Sequence, residues 1–252
     1  ALTFDVASID DTGVATPTIS GLDNLAVNLS DTNLALASYL DIQNNYTTGV
    51  ITADITATAK ATLLAETVSG TNDIVNGNAL YLDVTDATFT TAELTELNAM
   101  TTGLVELTGG GSAVTITGTV SELNTIFAAK VTSGDGFLDT GLADAAATIT
   151  DTGTISAAEL KAISAATTGT VNISTATHIS GLLADINSVL ADGQISNKGN
   201  EIVTVTDATI SASALATLIA NDASLTTNNI IITASSMTGT EAEVSAILDD
   251  TY

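Results

Sequence analysis

The residues of this chain that are best suited to bind a ligand are aspartates at the ends of predicted strands. They recur after 55, 65 and 56 residues, so they occupy one position of a repeated pattern. These residues are Asp31, Asp86, Asp151 and Asp207. Calcium prefers carboxylate and carbonyl oxygens, which makes the four aspartates candidate calcium ligands. Asp135 and Asp139 join them, because the segment around Ser133-Gly134-Asp135-Gly136 is the part of the chain most similar to a calcium loop.

A second interpretation of the same aspartates is structural. An Asp side chain after a strand can accept hydrogen bonds from turn N–H groups, and this requires no metal. The chain lacks the EF-hand pattern and the nonapeptide G-G-x-G-x-D-x-U-x of calcium-binding β-helices. The sequence leaves both interpretations open, and calcium is the only cofactor that it suggests.

The groups that enzymes combine are scarce in this chain. His178 is the only histidine, and arginine and cysteine are missing. A Ser-His-Asp triad would therefore depend on one side chain, and cysteine catalysis is excluded. Adjacent carboxylates such as Asp10 and Asp11 could serve a glycosidase, yet the chain has no Trp and only four Tyr and four Phe to form a sugar platform. We predict no catalytic residues and no enzyme.

The charge of the chain is strongly one-sided. Asp and Glu number 29 against four Lys, which gives a formal net charge of -25. Such a surface repels phosphate groups, so nucleic-acid binding is not expected. No run of about 18 apolar residues occurs, so membrane insertion is not expected either. Strong acidity suits salty surroundings rich in divalent ions, where screening and bound cations relieve self-repulsion.

The chain repeats itself, and the repeat is what would position the aspartates. One unit begins YLDVTDATFTTAEL (81–94) and returns as AAATITDTGTISAAEL (145–160) and EIVTVTDATISASAL (201–215). A second unit alternates with it and begins near residues 113, 176 and 234. One such unit cannot bury its apolar face alone, so repeats of this kind stack on one another.

Each unit is predicted to combine a strand with a helix. Val203 and Val205 alternate with threonines, as in a half-buried strand. Thr90 and Ser156 are each followed three residues later by Glu, which matches the capping box that begins a helix. In the second unit a hydroxyl residue followed by glycine is predicted to cap the helix, with the glycine permitting a sharp turn. These hydroxyl residues are Thr117, Ser180 and Thr238.

We therefore predict an α/β repeat fold, an elongated solenoid of short parallel strands each followed by a short helix. A parallel β-helix is the alternative. Residues 1–24 are predicted to form an irregular N-terminal coil or cap. Residues 25–252 are predicted to form about eight coils in two-coil repeats of roughly 55–65 residues, with a loop insertion near 131–144.

Three phrases of the sequence point to a group of known proteins. They are VTVTDATISASAL (203–215), TISAAELKAI (154–163) followed by TTGTV, and THISGLLADIN (177–187). They resemble the repeat arrays of giant secreted or cell-surface proteins of marine cyanobacteria and their phages, from about residue 18 onward. The resemblance implies an extracellular or cell-surface location and a structural or adhesive role, and it carries over no catalytic residues.

Two functional hypotheses follow. The first is a non-enzymatic extracellular structural repeat module that forms a rod or fibre segment at a bacterial cell surface or in an extracellular filament. Such a module would associate end to end, with itself or with flanking repeats, through open strand edges. The alternative is a ligand-binding adhesin or phage tail-fibre module that recognises surface glycans. Its candidate residues are Tyr39, Tyr46 and Tyr81 together with the 131–144 insertion.

Overall fold

The computed structural model describes residues 25–45, 47–66, 77–199, 201–222 and 230–249, without the side chains of Leu138, Asp139 and Asp222. Strands and helices alternate along these residues. The strands of the first half are β1 (Val27–Leu34), β2 (Ile51–Thr58), β3 (Ala79–Val84), β4 (Thr88–Thr90), β5 (Leu104–Leu107), β6 (Thr115–Gly118), β7 (Lys130–Val131) and β8 (Gly136–Leu138). Those of the second half are β9 (Ala146–Ile149), β10 (Thr154–Ser156), β11 (Val171–Asn172), β12 (His178–Gly181), β13 (Ile195–Ser196), β14 (Ile202–Val205), β15 (Thr209–Ser211), β16 (Ile230–Ile232) and β17 (Ser236–Thr238).

The helices are short and follow one to three strands each. They are α1 (Leu36–Asn45), α2 (Lys60–Ala65), α3 (Thr91–Ala99), α4 (Val120–Ala128), α5 (Asp139–Leu142), α6 (Ala157–Ala166), α7 (Leu183–Ala191), α8 (Ala212–Asp222) and α9 (Glu241–Leu248). We call each helix together with the strands just before it a unit, except that β7, β8 and α5, which span the 131–144 insertion, are not counted as a unit. The α4 unit thus contains β5, β6 and α4, and the α9 unit contains β16, β17 and α9.

All strand pairs in the described ranges are parallel. The alternation predicted for β14 is confirmed, because Val203 and Val205 are buried while Thr204 between them is only half-buried. Alternating apolar side chains of successive strands form one buried core with the apolar stripes of the helices. The α/β class and the alternation of parallel strands with helices are confirmed.

The strands form four sheets whose order the sequence does not predict. The first sheet runs β1-β2-β3-β5-β8-β7 and the second β4-β6-β9-β11-β13, while the third is β10-β12-β14-β16 and the fourth β15-β17. The strand just before the helix belongs to the second sheet in the α3 and α4 units, to the third in the α6 and α7 units, and to the fourth in the α8 and α9 units. Every two units, the strand before the helix therefore moves to a new sheet.

The predicted insertion contains regular secondary structure. The segment 131–144, predicted as a loop insertion, contains β8 and α5, and β8 pairs with both β5 and β7. This insertion therefore adds strands to the first sheet instead of forming only a loop. The predicted N-terminal coil of residues 1–24 lies outside the described residues.

The helix starts predicted for the second unit were placed two residues too early. The observed N-cap residues of α4, α7 and α9 are Thr119, Leu182 and Thr240. Thr117, Ser180 and Thr238 lie in the preceding strands instead. The capping box at Thr90 and Glu93 is confirmed, and Ser156 accepts a hydrogen bond from the Glu159 N–H as predicted.

Candidate functional site: the contacts between units

Three of the strand-end aspartates bind the helix of the preceding unit. In each case a carboxylate oxygen accepts a hydrogen bond from the N–H of the first helical residue. The pairs are Asp86 with Lys60 at 2.6 Å, Asp151 with Val120 at 2.8 Å and Asp207 with Leu183 at 2.6 Å. The first N–H groups of a helix have no partner within it, and the helix dipole favours negative charge there. Each aspartate is therefore a helix cap that comes from the next unit.

These caps matter most where a helix lacks one of its own. The N-cap residues of α2 and α7, Ala59 and Leu182, make no side-chain capping bond. In α4, by contrast, Thr119 and Glu122 form a complete capping box in addition to the bond from Asp151. The next unit thus supplies the only side-chain cap described at the starts of α2 and α7.

The capping boxes set the charge state of their glutamates. A hydrogen bond from the Thr119 N–H, helped by the Thr119 and Thr91 hydroxyls, lowers the pKa of Glu122. The pKa of Glu243 is lowered in the same way by Thr240. Such carboxylates stabilise the fold above their ordinary pKa, and this contribution is lost as the pH falls through the depressed value.

The predicted calcium ligands do not converge in the structure. Asp31 is exposed in β1, Asp135 is exposed between β7 and β8, and Asp139 begins α5, with its side chain outside the described set. Among the side chains that the structure describes, no three His, Cys, Asp or Glu residues are close enough to hold a metal ion. Calcium binding stays a prediction, and thermal unfolding with calcium and with chelator at equal ionic strength would test it.

A threonine after the helix forms a second recurrent contact. In the three Thr-Thr-Gly segments the first threonine is buried and its hydroxyl donates to a backbone carbonyl about 22 residues earlier in the chain. The pairs are Thr47 with Leu25 at 2.9 Å, Thr101 with Leu80 at 2.8 Å and Thr167 with Ala145 at 2.6 Å. The same hydroxyl accepts from the N–H of the glycine two residues later. One side chain therefore joins its own turn to the backbone at or just before the start of an earlier strand.

The glycine of this motif is required by close packing. A Cβ atom on Gly49, Gly103 or Gly169 would lie 2.1, 2.3 or 2.4 Å from the same carbonyl oxygen that the threonine binds. Because the obstacle is backbone, a rotamer change cannot relieve the clash. Any side chain at these positions would push two units apart.

A different glycine explains the predicted strand-to-helix turn. A Cβ on Gly118 would lie 2.4 Å from the Thr91 side chain, and one on Gly181 would lie 3.0 Å from Ala157 Cβ. Thr91 and Ala157 are the first residues of α3 and α6, the helices of the preceding units. These glycines therefore let a strand pass close to a neighbouring helix, a role that the sequence analysis did not predict.

Asparagines join neighbouring helices, a role that the sequence analysis missed. Asn124 of α4 donates to the Glu159 carbonyl of α6 at 3.2 Å, and Asn187 of α7 donates to the Ala214 carbonyl of α8 at 2.9 Å. Both asparagines follow an acidic residue and Leu or Ile, and the recurrence of this pattern in both copies is the signal that could have found them.

All four lysines bind groups of the protein itself. Lys60 pairs with Glu93 at 2.9 Å and Lys161 with Asp185 at 2.8 Å, and each pair joins two units. Lys130 and Lys198 donate to backbone carbonyls at the ends of α6 and α7. Cations at helix C-termini are favoured by the helix dipole. The chain therefore uses its few positive charges for internal contacts.

The residues proposed for glycan binding are only partly available. Tyr39 is fully buried, where its hydroxyl accepts a hydrogen bond from Asn78 at 2.7 Å, so its predicted role as an exposed aromatic was wrong. Burial raises the pKa of Tyr39 to about 12. Tyr81 is half-buried and donates to Glu106, and burial together with that carboxylate raises its pKa. Tyr46 lies outside the described residues.

The remaining residues considered for catalysis are His178, Asp10 and Asp11. His178 lies in β12 between Thr154 of β10 and Ile202 of β14, and its Nδ1 is 2.9 Å from the Thr177 hydroxyl. Asp10 and Asp11 fall outside the described residues. In the part of the chain that the structure covers, no helix has the length and apolar character needed to cross a membrane. The fold and its contacts define an α/β protein of parallel strands and short helices.

Comparisons with protein-family models, with curated proteins and with solved structures gave no match.

Proposed function

We propose that the protein is a non-enzymatic structural repeat module whose units stack into a solenoid. The observation that carries this proposal is the aspartate cap. It joins one unit to the helix of the unit before it at three successive repeats, through Asp86, Asp151 and Asp207. A contact that recurs in three repeats and is directed each time to the preceding neighbour is what a stack of similar units requires.

The packing between units supports the same proposal. The Thr-Thr-Gly glycines bring two backbones into contact at equivalent places in three repeats, around Gly49, Gly103 and Gly169. Helices of successive units also touch in chain order from α6 to α9. Each unit thus completes the burial of the one before it, as in repeat proteins whose stability is a sum of units and interfaces.

The distribution of charge supports a place outside the cell. The four lysines are engaged in contacts with the protein itself, and they offset little of the charge of the 29 acidic residues. Self-repulsion of such a surface is relieved by salt and by divalent ions. We propose that the module forms a rod or fibre segment at a bacterial cell surface or in an extracellular filament.

Removal of one complete repeat tests the stacking. The residues from 152 to 207 span the 56 positions that separate Asp151 from Asp207, and their deletion joins Asp151 to Ala208 in the same register as the natural Asp207-Ala208 pair. We expect the shortened protein to fold, with an unchanged circular dichroism signal per residue and a lower unfolding midpoint, because stability is summed over units.

The matched control is a deletion of residues 152–193, which removes fewer residues but breaks the register of the repeat. We expect this variant to lose cooperative unfolding. If the 56-residue deletion unfolds the protein as completely as the control, the units are not interchangeable and the stacking proposal is wrong.

A further inference from the structure

The last described unit leaves its apolar stripe only partly covered. Alignment of α9 with α4 places Val244, Ile247 and Leu248 at the positions of Leu123, Ile126 and Phe127. The three side chains in α4 are buried, whereas Val244 and Ile247 are half-buried and Leu248 is 72% exposed. The stripe of α4 is covered because the next unit packs against it, through the contact of α4 with α6. The α9 unit therefore presents the surface on which a further unit would pack.

The strand edge of this unit is the second part of the same surface. In earlier repeats the strand before the helix pairs with the strand of the following unit that ends at the capping aspartate, as β6 pairs with β9 and β12 with β14. The residue before the capping aspartate donates its N–H to a glycine carbonyl, Thr150 to Gly118 at 3.0 Å and Thr206 to Gly181 at 2.9 Å. The counterpart of these glycines in the α9 unit is Gly239.

The first helical residue completes the surface. Asp86, Asp151 and Asp207 bind the first N–H of α2, α4 and α7, and the corresponding residue of α9 is Glu241. A segment that binds this surface must therefore provide three features. The occupant needs a strand beside β17, small or branched apolar side chains over α9, and an aspartate at the strand end.

A segment of this chain outside the described residues carries this pattern. Residues 7–13 read ASIDDTG. Residues 147–153 begin within β9, pack against the α4 unit and read ATITDTG. Five of the seven residues are identical. Ala7 and Ile9 correspond to Ala147 and Ile149, both fully buried, and Asp11 corresponds to the capping Asp151. The match therefore includes the positions that make the contacts.

We propose that residues 7–13 of a second copy of this chain bind the α9 unit, adding a parallel strand beside β17 with Asp11 on the Glu241 N–H. This inference rests on the stacking proposed above and extends it to contacts between molecules. The contact joins residues 7–13 of one copy to the α9 unit of another, which are two different surfaces, so it is heterologous and can continue into a filament. Both copies carry a net charge of -25, so salt should strengthen the association by screening their repulsion.

Sedimentation velocity of the full chain at several concentrations, in low and high salt, tests the proposal. We expect the mean mass to rise with concentration, and more steeply in high salt. Asp11→Ala should weaken the association about tenfold, the effect of losing a helix cap of roughly 1.4 kcal/mol. Asp10→Ala is the matched control, because Asp10 corresponds to the outward residue Thr150 and should leave the association almost unchanged.

A change on the other side of the contact gives an independent test. Lysine is the residue that begins α2, where Asp86 binds, so Glu241→Lys should strengthen the association by placing a positive charge near Asp11. A chain that stays monomeric in high salt overturns the proposal, as does an equal effect of Asp10→Ala and Asp11→Ala. The deletion of residues 152–207 keeps both contact surfaces, so its folding tests the stacking separately from the self-association.

Discussion

The α4 and α9 units have nearly the same local sequence signals and very different burial. Both helices begin at a capping box, Thr119 with Glu122 and Thr240 with Glu243. Ile126 of α4 is nevertheless only 4% exposed, while its counterpart Ile247 is half-buried. The α4 and α9 helices are therefore both started by their own residues, whereas the burial of each helix depends on its neighbour. The comparison separates contacts within a unit from contacts between units.

The largest loss of stability should come from truncating the equivalent isoleucines of α4 and α9. Ile126→Ala removes a buried side chain from a packed site, and we expect a loss of about 2–5 kcal/mol in the free energy of unfolding. Ile247→Ala, the same change at the equivalent position of α9, should cost about 1 kcal/mol or less because less area is buried there. Urea unfolding followed by circular dichroism measures both, and equal losses would show that α9 is as well packed as α4.

The glycine contact between units can be compared with an open turn. Gly169→Ala places a methyl group against the Ala145 carbonyl, and we expect about 1–3 kcal/mol of destabilisation from overpacking. Gly153→Ala is the control, because a Cβ there has no neighbour within 4 Å and the backbone does not require glycine. The difference in urea midpoints gives the effect of the contact, and a Gly169→Ala protein as stable as Gly153→Ala would contradict it.

The smallest losses of stability should come from removing the capping aspartates, and they should differ between a helix that has its own cap and one that lacks it. Asp207→Ala removes the only side-chain cap described at the start of α7, and a loss of about 1–2 kcal/mol is expected. Asp151→Ala should cost less, roughly 0.5 kcal/mol, because the capping box of α4 remains. Amide hydrogen exchange in the first turns of α7 and α4 would locate these losses. If Asp151→Ala speeds exchange in α4 more than Asp207→Ala speeds it in α7, the aspartate is not more important where the helix lacks its own cap.

Local features of the fold were predictable from the sequence. The alternation at Val203 and Val205 gave the strand, and the spacing of Thr90 and Glu93 gave the helix start. Both depend on residues within a few positions of each other, where periodicity and capping are informative.

Contacts between units were not predictable in the same way. The strand-end aspartates were recognised as a set, but their partners lie 24 to 31 residues away, so the sequence offered only a metal or a local turn for them. Gly118 was assigned to a turn because nothing local reveals that Thr91 passes beside it. The strand before the helix belongs to different sheets in different units. This depends on how whole units are positioned against each other, which the sequence of one segment does not reveal.

The internal use of the lysines also determines how the protein should respond to a protease. Trypsin cleaves after Lys and Arg, and here its only targets are Lys60, Lys130, Lys161 and Lys198. Lys130 and Lys198 are tied to helix ends, Lys60 to the neighbouring unit, and the half-exposed Lys161 lies in the middle of α6. Cleavage favours exposed loop tips, and Lys198, the one site in a loop, is half-buried. The folded chain should therefore survive digestion that would cut the unfolded chain at all four lysines.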